Sequence, residues 1–323
     1  MPAFSSKIAL LVVWMTMRID LQMAIAKLKN GGVVAIPTET VYGLAADATN
    51  DDALRQIYTI KQRPMDNPLI VHIYDSRQVS NWAAEFPPLA KKLASVFWPG
   101  PFTLVLPAKQ HVSLIVRGNQ PTIALRVPAH PIALQLLKES GLALAAPSAN
   151  KFTQLSPTTA AHVAAGLGES VAVLDGGGCA VGIESTIVSV QGDDWQLLRL
   201  GVIGENEIEK VAGKAASTLS APIKAPGQHH LHYSPRTPIR LFNSRDALIA
   251  SADNLSAALL IGEGPQPDCT VFQLNKNAAD VAQQLYGMLH KMDALKVREL
   301  LIEAPPSAPE WLAILDRLTR AAN

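Results

Sequence analysis

The chain has 323 residues, 48% of them apolar and 17% charged, and its formal net charge is +1. That composition builds a core and excludes a disordered chain, while a total charge near zero excludes broad electrostatic adhesion to RNA or DNA and leaves room only for a local basic site. The length favours two domains, and two widely separated cysteines, Cys179 and Cys269, fit neither a disulfide framework nor a cysteine zinc site and point to a reducing cytoplasm.

An apolar run at 8–17 follows Lys7 and superficially resembles a signal segment. It lacks a small-residue cleavage site and is too short to span a bilayer, so residues 1–16 read as an extra leading strand or as a start chosen upstream of Met15 or Met17. Residues 21–29 predict a short amphipathic helix stopped by Gly31 and Gly32. The stretch 31–44 reads as a strand, a polar turn holding Thr38, Glu39 and Thr40, and a second strand. Asp51 or Asp52 can cap a helix that runs to Gln62, with Leu54, Ile57 and Tyr58 on one face.

Lys61 and Arg63 come next, and Pro64 turns the chain out of that helix. Asn67 and Pro68 lead into an apolar strand at 69–73, so the two cations form a fork beside a buried strand, suited to a multiply charged anion such as a nucleoside triphosphate. The bland alternative is a pair of solvated cations favoured by the helix C-terminus. His72 lies inside the strand, where a histidine is more often a satisfied core residue than a catalyst.

Further strands are predicted at 103–106, 123–127, 142–146, 171–174, 186–190 and 196–200, with helices at 89–97, 132–139 and 158–165, the last opened by Ser156 and Pro157. The uneven spacing implies an α/β domain with a large twisted mixed sheet. Period-two alternation puts Thr122 and Arg126 on one face of one strand, and an arginine in such apolar surroundings needs an anionic partner, either a structural carboxylate or a substrate carboxylate. Ser148 and Asn150 follow a strand end, and Ser156 stands at a helix start. All three fit phosphate or ribose contacts, and equally fit turn and capping chemistry. The turn from Asp175 to Gly178 lacks the features of a phosphate-binding loop. Glu184 can hold a divalent ion or cap a loop, the second being favoured.

From Ala215 to Pro235 the composition turns to Ala, Ser, Pro, Gly and His without a period, and 207–237 reads as a linker placed to close over a site. His229, His230 and His232 lie there with no carboxylate or cysteine to complete a metal site, and read as a solvated cluster. Residues 18–206 are thus one domain and 238–323 a second, small Rossmann-like α/β unit, with strands at 239–242, 257–261, 270–274 and 300–302 and helices at 245–252, 278–292 and 309–320. No nucleophile elbow or metalloprotease motif is present, so the chain positions charged substrates instead of attacking them covalently.

Several ordered segments resemble the YrdC-like family: Pro37-Thr38-Glu39-Thr40-Val41-Tyr42-Gly43-Leu44, Lys61-Gln62-Arg63-Pro64, Trp98-Pro99-Gly100-Pro101-Phe102-Thr103, Arg126-Val127-Pro128, Ser148-Ala149-Asn150 and Glu184-Ser185-Thr186-Ile187-Val188. The tail His232-Tyr233-Ser234-Pro235, followed by a second α/β unit, is similar to the family's long two-domain form. The resemblance implies synthesis of threonylcarbamoyl-AMP and pyrophosphate from L-threonine, bicarbonate or CO2, and ATP, supplying the threonylcarbamoyl modification of the adenosine beside the tRNA anticodon. It implies Mg²⁺ bound mainly through the phosphates, a downstream tRNA threonylcarbamoyltransferase machinery as partner and at most a weak tRNA contact, with no membrane. By the same resemblance Lys61 and Arg63 serve catalysis, and these two with Asn67, Thr122, Ser148, Asn150, Ser156, Arg199 and Tyr233 hold ATP, Tyr233 as a lid. Thr40, His72, Arg126, Ala146 and Ser185 hold L-threonine, Arg126 through its carboxylate. The family often has a lysine where His229 stands, so the linker's share of phosphate binding is reduced or becomes pH-dependent. The residues alone leave two other readings. One is an RNA-binding module using Lys61, Arg63, Arg126 and Arg199, disfavoured by the neutral charge. The other is a carbamoyl-transfer domain like that of hydrogenase-maturation proteins, disfavoured by the absence of zinc-finger cysteines.

Overall fold

The computed structural model describes residues 18–168, 170–215, 225–227 and 232–322. Residues 1–17 and the histidines His229 and His230 lie outside the described set. The strands are β1 (Arg18–Ile19), β2 (Val34–Ile36), β3 (Gly43–Asp47), β4 (Ile70–His72), β5 (Phe102–Pro107), β6 (Thr122–Arg126), β7 (Leu144–Ala145), β8 (Ala172–Leu174), β9 (Thr186–Gln191), β10 (Asp194–Arg199), β11 (Ile239–Phe242), β12 (Ser256–Ile261), β13 (Thr270–Leu274) and β14 (Glu299–Glu303). The helices are α1 (Leu21–Lys29), α2 (Asp51–Lys61), α3 (Val79–Trp82), α4 (Pro88–Phe97), α5 (Pro131–Ser140), α6 (Ala160–Leu167), α7 (Glu205–Ala212), α8 (Arg245–Ser251), α9 (Ala278–Asp293) and α10 (Leu312–Ala321).

Ten strands form one sheet in the order β1-β8-β2-β3-β7-β4-β6-β5-β9-β10, mixing parallel pairs such as β4 with β6 and antiparallel ones such as β2 with β3. Apolar residues such as Leu44, Val71, Leu104 and Leu125 alternate into a core closed by α2 and α4 through Leu54, Ile57 and Leu93. The second domain is a four-stranded, all-parallel sheet, β11-β14-β12-β13, with its core under α9 and α10.

Several boundaries differ from those expected, each for a local reason. Helix α2 is capped by Asn50, whose side chain accepts from the amides of Asp52 and Ala53, leaving Asp51 and Asp52 in the first turn. Helix α6 starts at Ala160 behind a Thr159 cap, so Ser156 and Pro157 belong to the preceding loop. The strand expected at 142–146 shrinks to β7, and the second strand of the first hairpin begins only at Gly43. Helix α7 runs across the expected boundary into the first residues of the stretch read as linker. Ile208 buries it in the first core, so the fold of the first domain continues through Ala212. No described helix is long and apolar enough to cross a membrane.

Candidate active site

The cavity is built around the turn between β2 and β3. The Thr38 hydroxyl donates to the Val41 carbonyl at 2.6 Å and accepts from the amides of Thr40 and Val41, which fixes a tight polar turn. That turn is laced to its neighbours by backbone bonds, Tyr42 N–H to the Pro157 carbonyl, Leu44 N–H to the Pro147 carbonyl and Ala149 N–H to the Tyr42 carbonyl. The Thr40 hydroxyl and the Ser148 loop therefore face each other across one hollow.

Two neighbouring strands supply the next wall. In β4 and β6 His72 stands in register with Arg126, and both line the cavity. Arg126 donates Nη2 to Glu39 Oε1 at 2.6 Å, Nη1 to the Thr40 hydroxyl at 3.0 Å and Nε to the Gly100 carbonyl at 3.1 Å. Its anionic partner within the chain is thus the structural carboxylate of Glu39. His72 Nδ1 has no hydrogen-bond partner among the described residues, and burial, reinforced by the Arg126 cation, pushes its pKa down to about 3. The imidazole is therefore neutral at physiological pH and able to bond a hydroxyl or amine.

Ser185 and Arg199 close the far side. Arg199 donates Nε to the Ser185 carbonyl and Nη2 to the Ser185 hydroxyl, both at 3.0 Å, and Nη1 to the Pro226 carbonyl at 3.2 Å. Gly227, at φ +87°, passes directly over that guanidinium, where a Cβ would sit 2.6 Å from the Tyr233 hydroxyl. Arg63 donates Nη2 to the Pro68 carbonyl and leaves Nε without a partner among the described residues; burial lowers its pKa to about 10, so it stays cationic at neutral pH. Arg63, Arg199, Ala146, Ser148 and Tyr233 all line the same hollow as Thr40, His72, Arg126 and Ser185.

Five of the expected residues do not line it. Lys61 is the last residue of α2 and turns inward, giving Nζ to the carbonyls of Ser148 and Asn150, both at 2.6 Å. Burial first, and then the Arg63 cation, hold its pKa well below the usual lysine range. It pins the Ser148–Asn150 loop from behind. Asn150 donates Nδ2 to the carbonyls of Lys151 and Gln154, and borders a separate cleft between the domains with His162 and His290. Asn67 offers its carbonyl to the Tyr58 hydroxyl. Thr122 opens β6, about 13 Å along the strand from Arg126. Ser156, 0% exposed, donates its hydroxyl to Glu184 Oε1 at 2.5 Å, so it does not serve as a helix-start anion site.

Sequence reasoning singled out neither Glu39 nor Arg317 as site residues. Glu39 had a signal in the demand of a strand arginine for a carboxylate. Arg317 had one in its position: with Ala313, Ile314, Leu318 and Ala321 it lies on the apolar face of α10. Glu184 neither caps a loop nor awaits an ion. Its Oε2 accepts from Arg317 Nε and from the Tyr286 hydroxyl, both at 3.0 Å and both from the second domain. Burial acts to raise its pKa, but Arg317, Arg199 and the Ser156 hydroxyl more than offset this and hold it below the usual carboxylate range. His232 is buried against Phe152 and Tyr233 instead of solvated, and burial takes its pKa down to about 3. The turn Asp175–Gly178 stays outside the cavity. Tyr42 anchors it by donating to Asp175 and to the Gly177 carbonyl, and a Cβ on Gly176 would meet Pro37 at 2.6 Å.

Comparison with known proteins agrees with this architecture. A family model described as telomere recombination matches residues 26–201, and one described as threonylcarbamoyl-AMP synthase, C-terminal domain, matches residues 203–323. The chain is 37% identical to the threonylcarbamoyl-AMP synthase of Pyrococcus abyssi, with 94% of each chain covered. It is 39% identical to that of Bacillus subtilis, covering 94% of this chain and 93% of the relative. The crystal structure of P. abyssi Sua5 complexed with L-threonine superposes with a TM-score of 0.85 at 36% identity, covering 95% of this chain and 96% of the other. The chain belongs to the threonylcarbamoyl-AMP synthase family.

Proposed function

We propose that this two-domain enzyme makes threonylcarbamoyl-AMP and pyrophosphate from ATP, L-threonine and bicarbonate or CO2, for the threonylcarbamoyl modification of tRNA. Membership of the synthase family supports the reaction. The observation that carries it to particular residues is the convergence of two buried arginines, Arg63 and Arg199, with the Thr40, His72 and Ser185 set in one hollow. A relative of the same fold is known in complex with L-threonine, which supports an amino-acid subsite here.

In this reading the amine of threonine captures CO2 as a carbamate, and the carbamate oxygen attacks the α-phosphorus of ATP as pyrophosphate leaves. No enzyme nucleophile is required, so the chain's own groups orient the partners and neutralise charge. Arg63 and Arg199 face the phosphates, and Tyr233 covers the nucleotide. The Ser148 loop, braced by Lys61, lines its edge. Arg126, ion-paired with Glu39, keeps a further N–H on each terminal nitrogen for the amino-acid carboxylate, and neutral His72 with Thr40 and Ser185 orients the rest of threonine. Asn67, Thr122, Asn150 and Ser156 act behind or beside this set. Mg²⁺ fits through the phosphates, since the carboxylates nearest the cavity are engaged by Arg126 and Arg317; it would neutralise the leaving pyrophosphate. The product passes to a downstream tRNA threonylcarbamoyltransferase in the cytoplasm.

The burial of the cations argues against the RNA-binding alternative. Lys61, Arg63, Arg126 and Arg199 are exposed by only 1%, 8%, 3% and 8%, so a nucleotide-sized anion reaches the cavity arginines and a continuous phosphate backbone does not. Release of pyrophosphate from ATP, measured with each substrate omitted in turn, tests the function. The expected result is release only with threonine, bicarbonate and ATP together; release indifferent to threonine would refute it.

A further inference from the structure

Glu184 poses an electrostatic problem for the reaction proposed above. This buried residue lines the cavity together with Arg63 and Arg199. Left uncompensated, it would repel the triphosphate and compete for those two arginines. Within the first domain Glu184 receives the Ser156 hydroxyl, while Arg199 directs its donors to Ser185 and Pro226. The ion-pair partner comes from the other domain. Arg317, 1% exposed, gives Nε to Glu184 Oε2 at 3.0 Å and Nη2 to the Leu200 carbonyl at 2.7 Å, while Nη1 reaches Asp316. Its guanidinium also lies 5.0 Å from the centre of the Tyr233 ring, itself part of the cavity wall.

We propose that Arg317 is a positioning residue for the reaction: from the second domain it neutralises Glu184, so that Arg63 and Arg199 stay available to the triphosphate, and it seats Tyr233 against the nucleotide site. The inference rests on the function proposed above. It gives the C-terminal domain a defined task, that of supplying the counter-charge without which the first domain's cavity is electrostatically unfit for ATP. The active site is then assembled across the domain junction.

The test is steady-state kinetics on the full chain, with ATP and threonine varied separately, for wild type, Arg317→Met, Arg317→Lys and the double variant Arg317→Met with Glu184→Gln. Arg317→Met is expected to raise the ATP KM at least about tenfold while the threonine KM moves less than about twofold, and Arg317→Lys, which keeps the charge, to raise it less. Adding Glu184→Gln to Arg317→Met is expected to recover at least about threefold of that ATP KM, because the carboxylate needing a partner is gone. A purely structural role predicts the opposite, since Glu184→Gln weakens the same junction further. An unchanged ATP KM in Arg317→Met, or a double variant no better than the single one, overturns the proposal. Should Arg317→Met fail to fold, the same comparison is made with Arg317→Gln, which also removes the charge, with and without Glu184→Gln, and absence of recovery again overturns it. An inactive wild type would instead remove the function on which the proposal rests.

Discussion

The two domains treat buried charge in opposite ways. The ten-stranded domain encloses Glu39, Lys61, Arg63, Arg126, Glu184 and Arg199, whereas among the described residues of the four-stranded domain the one buried charged side chain is Arg317, which points into the other domain. Burying a charge costs free energy unless it is paired and hydrogen-bonded. The second domain avoids that cost with strands such as β12, buried along its whole length. The first accepts it, and of the seven buried side-chain atoms without a partner among the described residues, Arg63 Nε, His72 Nδ1, His232 Nδ1 and the Tyr233 hydroxyl belong to cavity residues and Glu39 Oε2 to the partner of one, while Asn150 Oδ1 and Ser189 Oγ lie outside it. Incomplete satisfaction is thus concentrated where substrates can complete the network.

That contrast can be broken or sharpened by mutation. The largest effect is expected for Arg63→Ala and Arg199→Ala, which should lower kcat/KM for ATP by at least about 100-fold. Arg63→Ala should keep its melting midpoint within a few degrees, because it gives up one carbonyl bond; an active Arg63→Ala enzyme would remove the triphosphate assignment. In the second domain Leu259→Ala should cost about 2–4 kcal/mol of stability by denaturant titration, with both KM values of the folded fraction unchanged. Lys61→Met should fall between these behaviours, losing about 2–3 kcal/mol because the Ser148 and Asn150 carbonyls lose their donor, and losing turnover as the loop relaxes.

A pH titration of stability samples the same contrast more gently. His72 and His232 are depressed to about 3 and His162 to about 4, in each case chiefly by burial. Their unfolded forms protonate below about pH 6.5 while the folded forms remain neutral, so the unfolded chain binds the extra protons. Stability should be full above about pH 6.5 and fall with acidification, by at least about 2 kcal/mol at pH 5. A flat profile between pH 7 and 5 would show that these rings are not buried neutral. The smallest effect belongs to Arg298→Ala, a half-exposed partner of Asp253 and Glu299, for which no measurable change in melting midpoint or activity is expected.

Much of this molecule was legible in the chain. Strands β11 and β13 coincide with their apolar runs, and α1 with its apolar period, because local pattern and tertiary burial agree there. Around the site, the spacing of Lys61 and Arg63 points to a polyanion fork, and only the family resemblance adds His72, Arg126 and Ser148 to it; neither says which way a cation turns. Lys61 faces back onto carbonyls while Arg63 faces the hollow, a division set by the left-handed Gln62 between them, at φ +53°. Ser156 reads as a helix start, yet the helix begins at Ala160, since the Ser156 hydroxyl is committed to Glu184 while that of Thr159 accepts from the His162 amide. Glu184 and Arg317 lie 133 residues apart, and their pairing follows only from how the domains dock.

Where the substrates sit decides whether the arginine-lined hollow is the active site. A crystal structure of the full chain with ATP and L-threonine measures that directly. The triphosphate is expected within hydrogen-bonding distance of Arg63 and Arg199, with threonine held among Thr40, His72, Arg126 and Ser185. ATP bound in the cleft between His162 and His290, with the arginine-lined hollow empty, would contradict it.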